Sequence, residues 1–397
     1  MIDALNVEQF LPADGLAGGL LGRAWLPGSS TGSIAGPSPV LLNPQGVFDL
    51  SRVAPTTAEL ININFMVADC DVGALARLGS FEDIMQNTMS SCRDNETPYF
   101  LSPFDLQAIK ACGVTFMCSM LERVIEERAG GDASRAEAVR EKINSSIGVD
   151  VNSIKPGSKV AEELKVILQA EGIWSQYMEV GIGPYAEIFT KSQPMSSVGC
   201  GEQIGILPIS SWNNPEPEIV LVVNAKGQAL GATLGNDVNL RDVEGRSALL
   251  LGKAKDNNAS CAMGPFIRLF DETFSIDDVR EAEVSVKVEG AGDGFVLDDR
   301  SDMTKISRDV LDLVGQTISE NHQYPDGLAL FTGTLFAPTK DREGNGMGFT
   351  HKIGDVVTIA SEKLGALQNT VVLCHDAPPW KFGTAALMRN LARRGLL

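Results

Sequence analysis

Two glutamates alternate with two prolines immediately ahead of an unbroken apolar run: Asn214-Pro215-Glu216-Pro217-Glu218 leads straight into Ile219–Val223. Proline fixes φ and is excluded from helix interiors, so both glutamates are held in extended backbone. Residues two apart in an extended chain face the same way, which sets the carboxylates of Glu216 and Glu218 side by side at the mouth of a hydrophobic strand. Adjacent carboxylates repel each other and need a cation or a shared proton. Ala225-Lys226-Gly227-Gln228 reads as a hairpin turn. The returning strand, Leu230–Leu234, then brings Gly235-Asn236-Asp237 back beside the pair. Three oxygen ligands with positions left open suit Mg2+ or Mn2+ rather than zinc or copper. The plainer alternative is a solvated strand start with two surface glutamates; the flanking prolines, the apolar strand and the returning aspartate weigh against it.

Charge narrows the partners. The net charge of −18, from 33 basic and 51 acidic residues, repels nucleic acid and anionic membranes. An anionic substrate therefore needs local cations, and Arg241 and Lys253, in the polar, glycine-rich run after Asp237, are candidates. No stretch approaches the ~20 uninterrupted apolar residues of a membrane helix. The N-terminus is acidic and lacks the basic start and apolar core of a signal peptide, which points to the cytoplasm. The seven cysteines form no CxxC pair and read as reduced thiols. His322, His351 and His375 show no ligand spacing with any of them, which argues against zinc.

The length of 397 residues allows two or three domains. Residues 1–100, rich in Gly, Pro and Ser with short apolar runs such as Pro39–Leu42 and Gly46–Leu50, read as a small β-rich N-terminal domain. Cys92–Pro98 has the composition of a linker, and 101–397 forms the second unit. Within it, a helical insertion is expected at about 121–172, from Leu121–Arg128, Ala133–Ile143 and Ser158–Ala170. In the last of these, Val160, Leu164, Ile167 and Leu168 mark an amphipathic face. Beyond Glu187 the pattern turns to strands, with Val284, Val286 and Val288 alternating, and with helices around 239–255 and 307–320. The class is α+β.

Several motifs recur in order. Glu216, Glu218, Asp237 and Arg241 are followed by Gly252-Lys253-Ala254-Lys255-Asp256, Gly264-Pro265-Phe266, Gly333-Thr334, Gly354-Asp355 and Gly365–Val371. Over about residues 100–397 this resembles the fumarylacetoacetate hydrolase superfamily. The resemblance implies a C-terminal mixed β-sandwich roll, a metal held by Glu216, Glu218 and Asp237, and dimers or tetramers. It also implies a substrate site drawn from Ser119, Arg123, Arg241, Lys253, Asp256, Gly333 and Thr334. Longer phrases, among them GVTFMCSMLERVIEER and WNNPEPE, are similar to the sugar-acid dehydratases of that superfamily, and LLGRAWLPG and PTTAEL extend the likeness to the N-terminal part. That branch implies a small 2-keto-3-deoxy sugar acid as substrate, enolised at C3 and losing its C4 hydroxyl to give 2-ketoglutarate semialdehyde. The hydrolases carry a histidine in the segment corresponding to 113–128; here there is none, and Ser119–Arg123 fits the dehydratase pattern Ser-x-x-Glu-Arg. Glu122 is the expected acid or base, with Lys253 as its partner or as a Schiff-base nucleophile. The alternative is hydrolysis of a 2,4-diketo-3-deoxy sugar acid on the same fold. Lys191 is open between structural and functional roles, and Gly344–Gly348 lacks the phosphate-binding lysine pattern.

Overall fold

The computed structural model describes residues 6–32, 34–130, 132, 135, 154–170, 172, 174–335, 340–342 and 348–397. The helix expected over Ala133–Ile143 falls outside them apart from Arg135, as does all but Gly348 of the glycine-rich segment.

Two sheets face each other across one apolar core. The larger, with 11 strands, runs β4 (Ala76–Gly79), β3 (Gly46–Asp49), β2 (Gly36–Asn43), β1 (Leu20–Leu26), β13 (Cys261–Leu269), β11 (Ala229–Asp237), β10 (Pro217–Val223), β16 (Leu328–Phe331), β6 (Ala108–Gly113) and β7 (Glu187–Ser192), with β5 (Tyr99–Phe100) on β1. The smaller has five strands in the order β15 (Val296–Asp302), β14 (Glu283–Glu289), β17 (Val356–Ser361), β18 (Gly365–Leu373) and β8 (Gln203–Ile206). Most neighbours are antiparallel, but β16 pairs β6, and β18 pairs β8, in parallel. Ile219, Leu221 and Val223 of β10 face the small sheet's Val286, Ile359 and Leu367. Val220 and Val222 face the opposite way, toward Leu21, Ile109 and Phe331. Burial on both faces is why β10 reads as a continuous apolar run. In β14 the valines are buried while Lys287 is exposed, as the alternation requires.

β1 hydrogen-bonds to β13, pairing Leu20 with Arg268, so strands before and after residue 100 share one sheet. Arg268 is fully buried and joins three segments: its guanidinium donates to Asp14 at 2.5 and 3.0 Å, to the Lys363 carbonyl at 3.0 Å and to Thr273 at 3.0 Å. Cys92–Pro98 is not a slack connection. Asn87 fastens it by donating to the carbonyls of Asp94, Thr97 and Pro98 and accepting from the Asp94 N–H.

A third apolar cluster lies under the helices α1 (Met117–Ala129), α2 (Lys159–Ala170) and α3 (Gln176–Ile182), with Trp212 among its members. The apolar face of α2 differs from the sequence reading. Ala161, Leu164 and Leu168 turn inward, while Val160 and Ile167 are 60% and 55% exposed. The face is rotated by about one residue because Ala161 packs closely where the periodicity alone favoured the larger Val160. The helices expected near 239–255 and 307–320 are shorter: α4 (Arg241–Glu244) and α5 (Leu251–Lys255), preceded by β12 (Asn239–Leu240), and then Val310–Thr317. Among the described residues no helix is long and apolar enough to cross a membrane.

Candidate metal centre

The ribbon that carries the site is two antiparallel segments in one register, with the Glu216 N–H turned to Asn236 Oδ1 at 3.1 Å where they meet. In β10–β11, Glu218 lies opposite Gly235 and Pro217 opposite Asn236. Three residues further out on each strand, Asn214 of β9 (Asn213–Asn214) lies opposite Asn239 of β12 in unchanged register. Glu216 therefore sits across from Asp237, whose N–H donates to the Glu216 carbonyl at 3.0 Å. One acidic oxygen from each of Glu216, Glu218 and Asp237 falls within 4.8 Å of the others, and all three residues are buried.

Cations approach from three elements. Lys255, at the end of α5, contacts Glu216 Oε2 and lies 2.9 Å from Asp237 Oδ2. Lys191 Nζ is 3.0 Å from Asp237 Oδ1. Arg123 of α1 bridges Glu216 Oε1 at 2.5 Å and Glu244 Oε2 at 2.9 Å. Lys191 is aimed by a bulge: β6 pairs Lys110 with Thr190 but Ile109 with Ser192, leaving Lys191 as the extra residue. On the same strand, Glu187 lies over Gly113, where any Cβ would meet its carboxylate at 2.0 Å, and Lys255 Nζ stands 5.6 Å above the Phe189 ring. Glu187 and Phe189 thus share one face two residues apart, and the bulge adds Lys191 to it.

Electrostatics separate these groups. Burial would raise Asp237, but Lys191 and Lys255 outweigh it and hold the carboxyl below its ordinary range. Burial would lower Lys255, but Asp237, Glu216 and Glu244 overturn that and keep it firmly charged. Glu218 goes the other way: burial, then Asp237 and Glu216, push it well above the usual carboxylate range. Its partner is the Gly333 N–H at 2.6 Å, and among the described residues no cation ion-pairs with it. Gly333 has φ +94, and a Cβ there would meet Thr115 Oγ1 at 2.0 Å, so glycine is required. Glu187 is raised to about 7, by burial and then by Glu244 against the opposing pull of Arg123 and Lys255.

These groups fit a divalent metal. Among the described residues Glu216 and Asp237 ion-pair with Arg123, Lys191 and Lys255, and Glu218 with no cation. An all-oxygen donor set holding an uncompensated buried carboxylate matches a hard divalent ion.

The remaining expected residues divide. Glu122 reaches Arg241, 3.5 Å away, and the Arg241 guanidinium stacks on Trp212 at 4.2 Å. Ser119 is half-buried one turn before Arg123, and Thr334 is buried beside Gly333. Gly333 itself commits its N–H to Glu218 rather than leaving it for a ligand. Lys253 and Asp256 are exposed, with Asp256 accepting from Gln193 at 2.9 Å. The ammonium expected from Lys253 is instead that of Lys255: two residues of helix turn a side chain through about 200°, so the two lysines of α5 point to opposite sides. Glu187 and Lys255 were missed from the sequence, and the alternation Glu187, Phe189, Lys191 is the signal that could have found the first. His351 is buried with its Nδ1 3.3 Å from Asp355, and its Nε2 has no partner among the described residues.

Residues 177–372 match the model of the fumarylacetoacetate hydrolase C-terminal domain. Over those residues, just under half of its length, this chain is similar to that domain. It is 31% identical over 195 residues to a Haloferax volcanii protein named a probable 2-keto-3-deoxyxylonate dehydratase, covering 49% of this chain and 63% of that one. It is 33% identical over 181 residues to a Saccharolobus solfataricus 2-dehydro-3-deoxy-D-arabinonate dehydratase, covering 46% and 57%. The matches thus span somewhat over half the length of these relatives. Solved structures of a 2-keto-3-deoxy-D-arabinonate dehydratase superpose with a TM-score of 0.61 over 89% of this chain and 98% of theirs. The apo form is 20% identical, and the form complexed with magnesium and 2,5-dioxopentanoate is 21% identical. At that identity they establish the shared fold, which is the mixed two-sheet α+β architecture expected from the sequence.

Proposed function

We propose that this chain is a metal-dependent hydro-lyase that converts a 2-keto-3-deoxypentonate to 2,5-dioxopentanoate and water. The observation that carries the reading is the buried set of Glu216, Glu218 and Asp237, with Glu187 and Lys255 alongside. Both curated relatives are named as dehydratases of such acids, and a solved structure of the same fold holds magnesium and 2,5-dioxopentanoate. Among the described residues no histidine joins the cluster, which disfavours the water-activating chemistry of the hydrolases.

Mg2+ or Mn2+ held by Glu216, Glu218 and Asp237 would supply Lewis acidity to a 2-keto group and so acidify the protons on C3. Thr334, beside the hydrogen bond from Gly333 to Glu218, takes the substrate carboxylate. Glu187, with its pKa near 7, is suited to accept the C3 proton at neutral pH. Lys255, charged and buried, protonates the C4 hydroxyl as the C4–O bond breaks, which leaves a C3=C4 double bond. Loss of a C5 proton and return of one to C3 give the C4–C5 enol, and then the aldehyde. Glu122 fixes Arg241 rather than entering the proton transfer, and Arg123 fixes Glu216. The seven cysteines are all free, in keeping with a cytoplasmic enzyme.

The test is an assay on D- and L-2-keto-3-deoxypentonate coupled to an added semialdehyde dehydrogenase. Reduced nicotinamide should form with Mg2+ and stop with EDTA. Full activity after exhaustive metal removal, or a borohydride-trapped adduct on Lys255, would sink the scheme. Pyruvate released from a 2,4-diketo acid would assign the hydrolase reaction instead.

A further inference from the structure

The ribbon presents more than the metal ligands. In its continuous register, residues 212, 214, 216 and 218 share a face with 241, 239, 237 and 235. Successive rungs on that face are Glu218 with Gly235, Glu216 with Asp237, Asn214 with Asn239, and Trp212 with Arg241, the last confirmed by the stacking of the guanidinium on the indole. Each rung lies ~7 Å from the next. The asparagine rung therefore falls between the metal carboxylates and the arginine.

Its hydrogen bonding is incomplete. Asn239 is fully buried, and neither Nδ2 nor Oδ1 has a partner among the described residues. The amide is therefore unsatisfied whichever way it is turned. Asn214 Nδ2 donates to the Pro215 carbonyl at 2.8 Å, but its Oδ1 is also unpaired. Buried amides are almost always bonded, and exceptions of this kind mark a missing partner. The unpaired atoms of the rung are two amide oxygens, which accept, and the Asn239 Nδ2, which donates; the indole Nε1 of Trp212 on the next rung is unpaired among the described residues too. A carboxylate has no proton for either amide oxygen, whereas a hydroxyl gives its one proton to an amide oxygen and accepts from the Asn239 Nδ2.

We infer that Asn214 and Asn239 form a neutral recognition rung for the C5 hydroxyl of the substrate, setting the preference for a hydroxylated 2-keto acid. The inference rests on the keto-acid reading above. That reading gives the carboxylate, the keto group, the C3 proton and the C4 hydroxyl each a partner and leaves C5 without one. With the carboxylate at Thr334, beyond Glu218, a five-carbon chain crossing the metal rung continues over the asparagines toward Arg241.

The test compares 2-oxopentanoate with 5-hydroxy-2-oxopentanoate, which differ by the C5 hydroxyl and lack a C4 leaving group. Binding to the full-length protein in Mg2+ is measured by calorimetry. Wild type should hold the hydroxylated acid about tenfold more tightly. Asn239→Ala should erase that preference while binding 2-oxopentanoate within about twofold of wild type, and Asn214→Ala should reduce it in part. Asn239→Ser, which keeps a small polar group, serves if the alanine variant fails to fold. Equal weakening of both ligands, or a preference that survives in Asn239→Ala, would show a structural amide or a trapped water and overturn the rung. If neither acid binds the wild-type protein, the keto-acid reading fails and the rung falls with it. If 2-oxopentanoate binds but the hydroxyl confers no advantage, the rung alone fails.

Discussion

Along the ribbon of β9–β12 and β10–β11, each site residue is an even step from the next: 214, 216 and 218 on one side, 237 and 239 on the other, with Arg241 following at the start of α4. On the helices no such rule holds. α5 places Lys255 in the centre and Lys253 in solvent, and α1 sends Glu122 to Arg241 but its neighbour Arg123 to Glu216. A strand has two faces, so one known residue fixes the direction of all the others. A one-turn helix has no such constraint, and its rotation is set by what it packs against.

The largest effect should come from the strands. Asp237→Ala is expected to abolish calorimetric Mg2+ binding and to lower kcat/KM by more than ~10³-fold. Retained metal affinity would break the assignment of the ladder face. Next, Lys255→Met should reduce kcat by roughly 10²–10³-fold while Lys253→Met stays within about twofold. Similar losses in both would mean that the rotation of α5 is wrong. Glu187→Gln should cost about 10²-fold. In wild type, kcat should climb as pH rises through about 7, where Glu187 ionises, and this ascending limb should vanish in the variant. Stability of the metal-free protein offers a check of the sign. Because folding raises Glu187 from 4.5 to about 7, the folded state binds the extra proton between those values. Stability should therefore fall as pH rises through that window, and less so in Glu187→Gln. The smallest contrast lies on α2, where Leu168→Ala should cost about 2–3 kcal/mol and Ile167→Ala about 0.5 kcal/mol or less by denaturant unfolding.

The same distinction explains what could be read from the sequence. The turn at 225–228 is legible and pairs Val223 with Ala229, but a bulge at Leu230 then shifts the register by one residue, and only that shift sets Asp237 opposite Glu216 rather than Pro215. Fold class followed from the ordered motifs and from the alternation of Val284, Val286 and Val288. Nothing in the sequence separates Lys255 from Lys253, because a five-residue helix carries too little periodicity to reveal its phase. Glu187 looks unremarkable because its character comes from burial and then from Glu244, both supplied by distant segments. Lys191 depends on a bulge, and no local signal announces the extra residue.

Arg268 sets a limit on how this chain can be trimmed. Its guanidinium lies inside the fold, and the carboxylate that neutralises it, Asp14, arrives from a partly exposed stretch 254 residues earlier. Removing the first dozen residues would leave that pair intact. Cutting a few positions later would strand a positive charge between the two sheets, on a strand that neighbours β11 and so Asp237. An expression boundary, or a protease nick, on the far side of Asp14 should therefore be felt at the metal centre, even though no residue of the N-terminal segment touches it among those described.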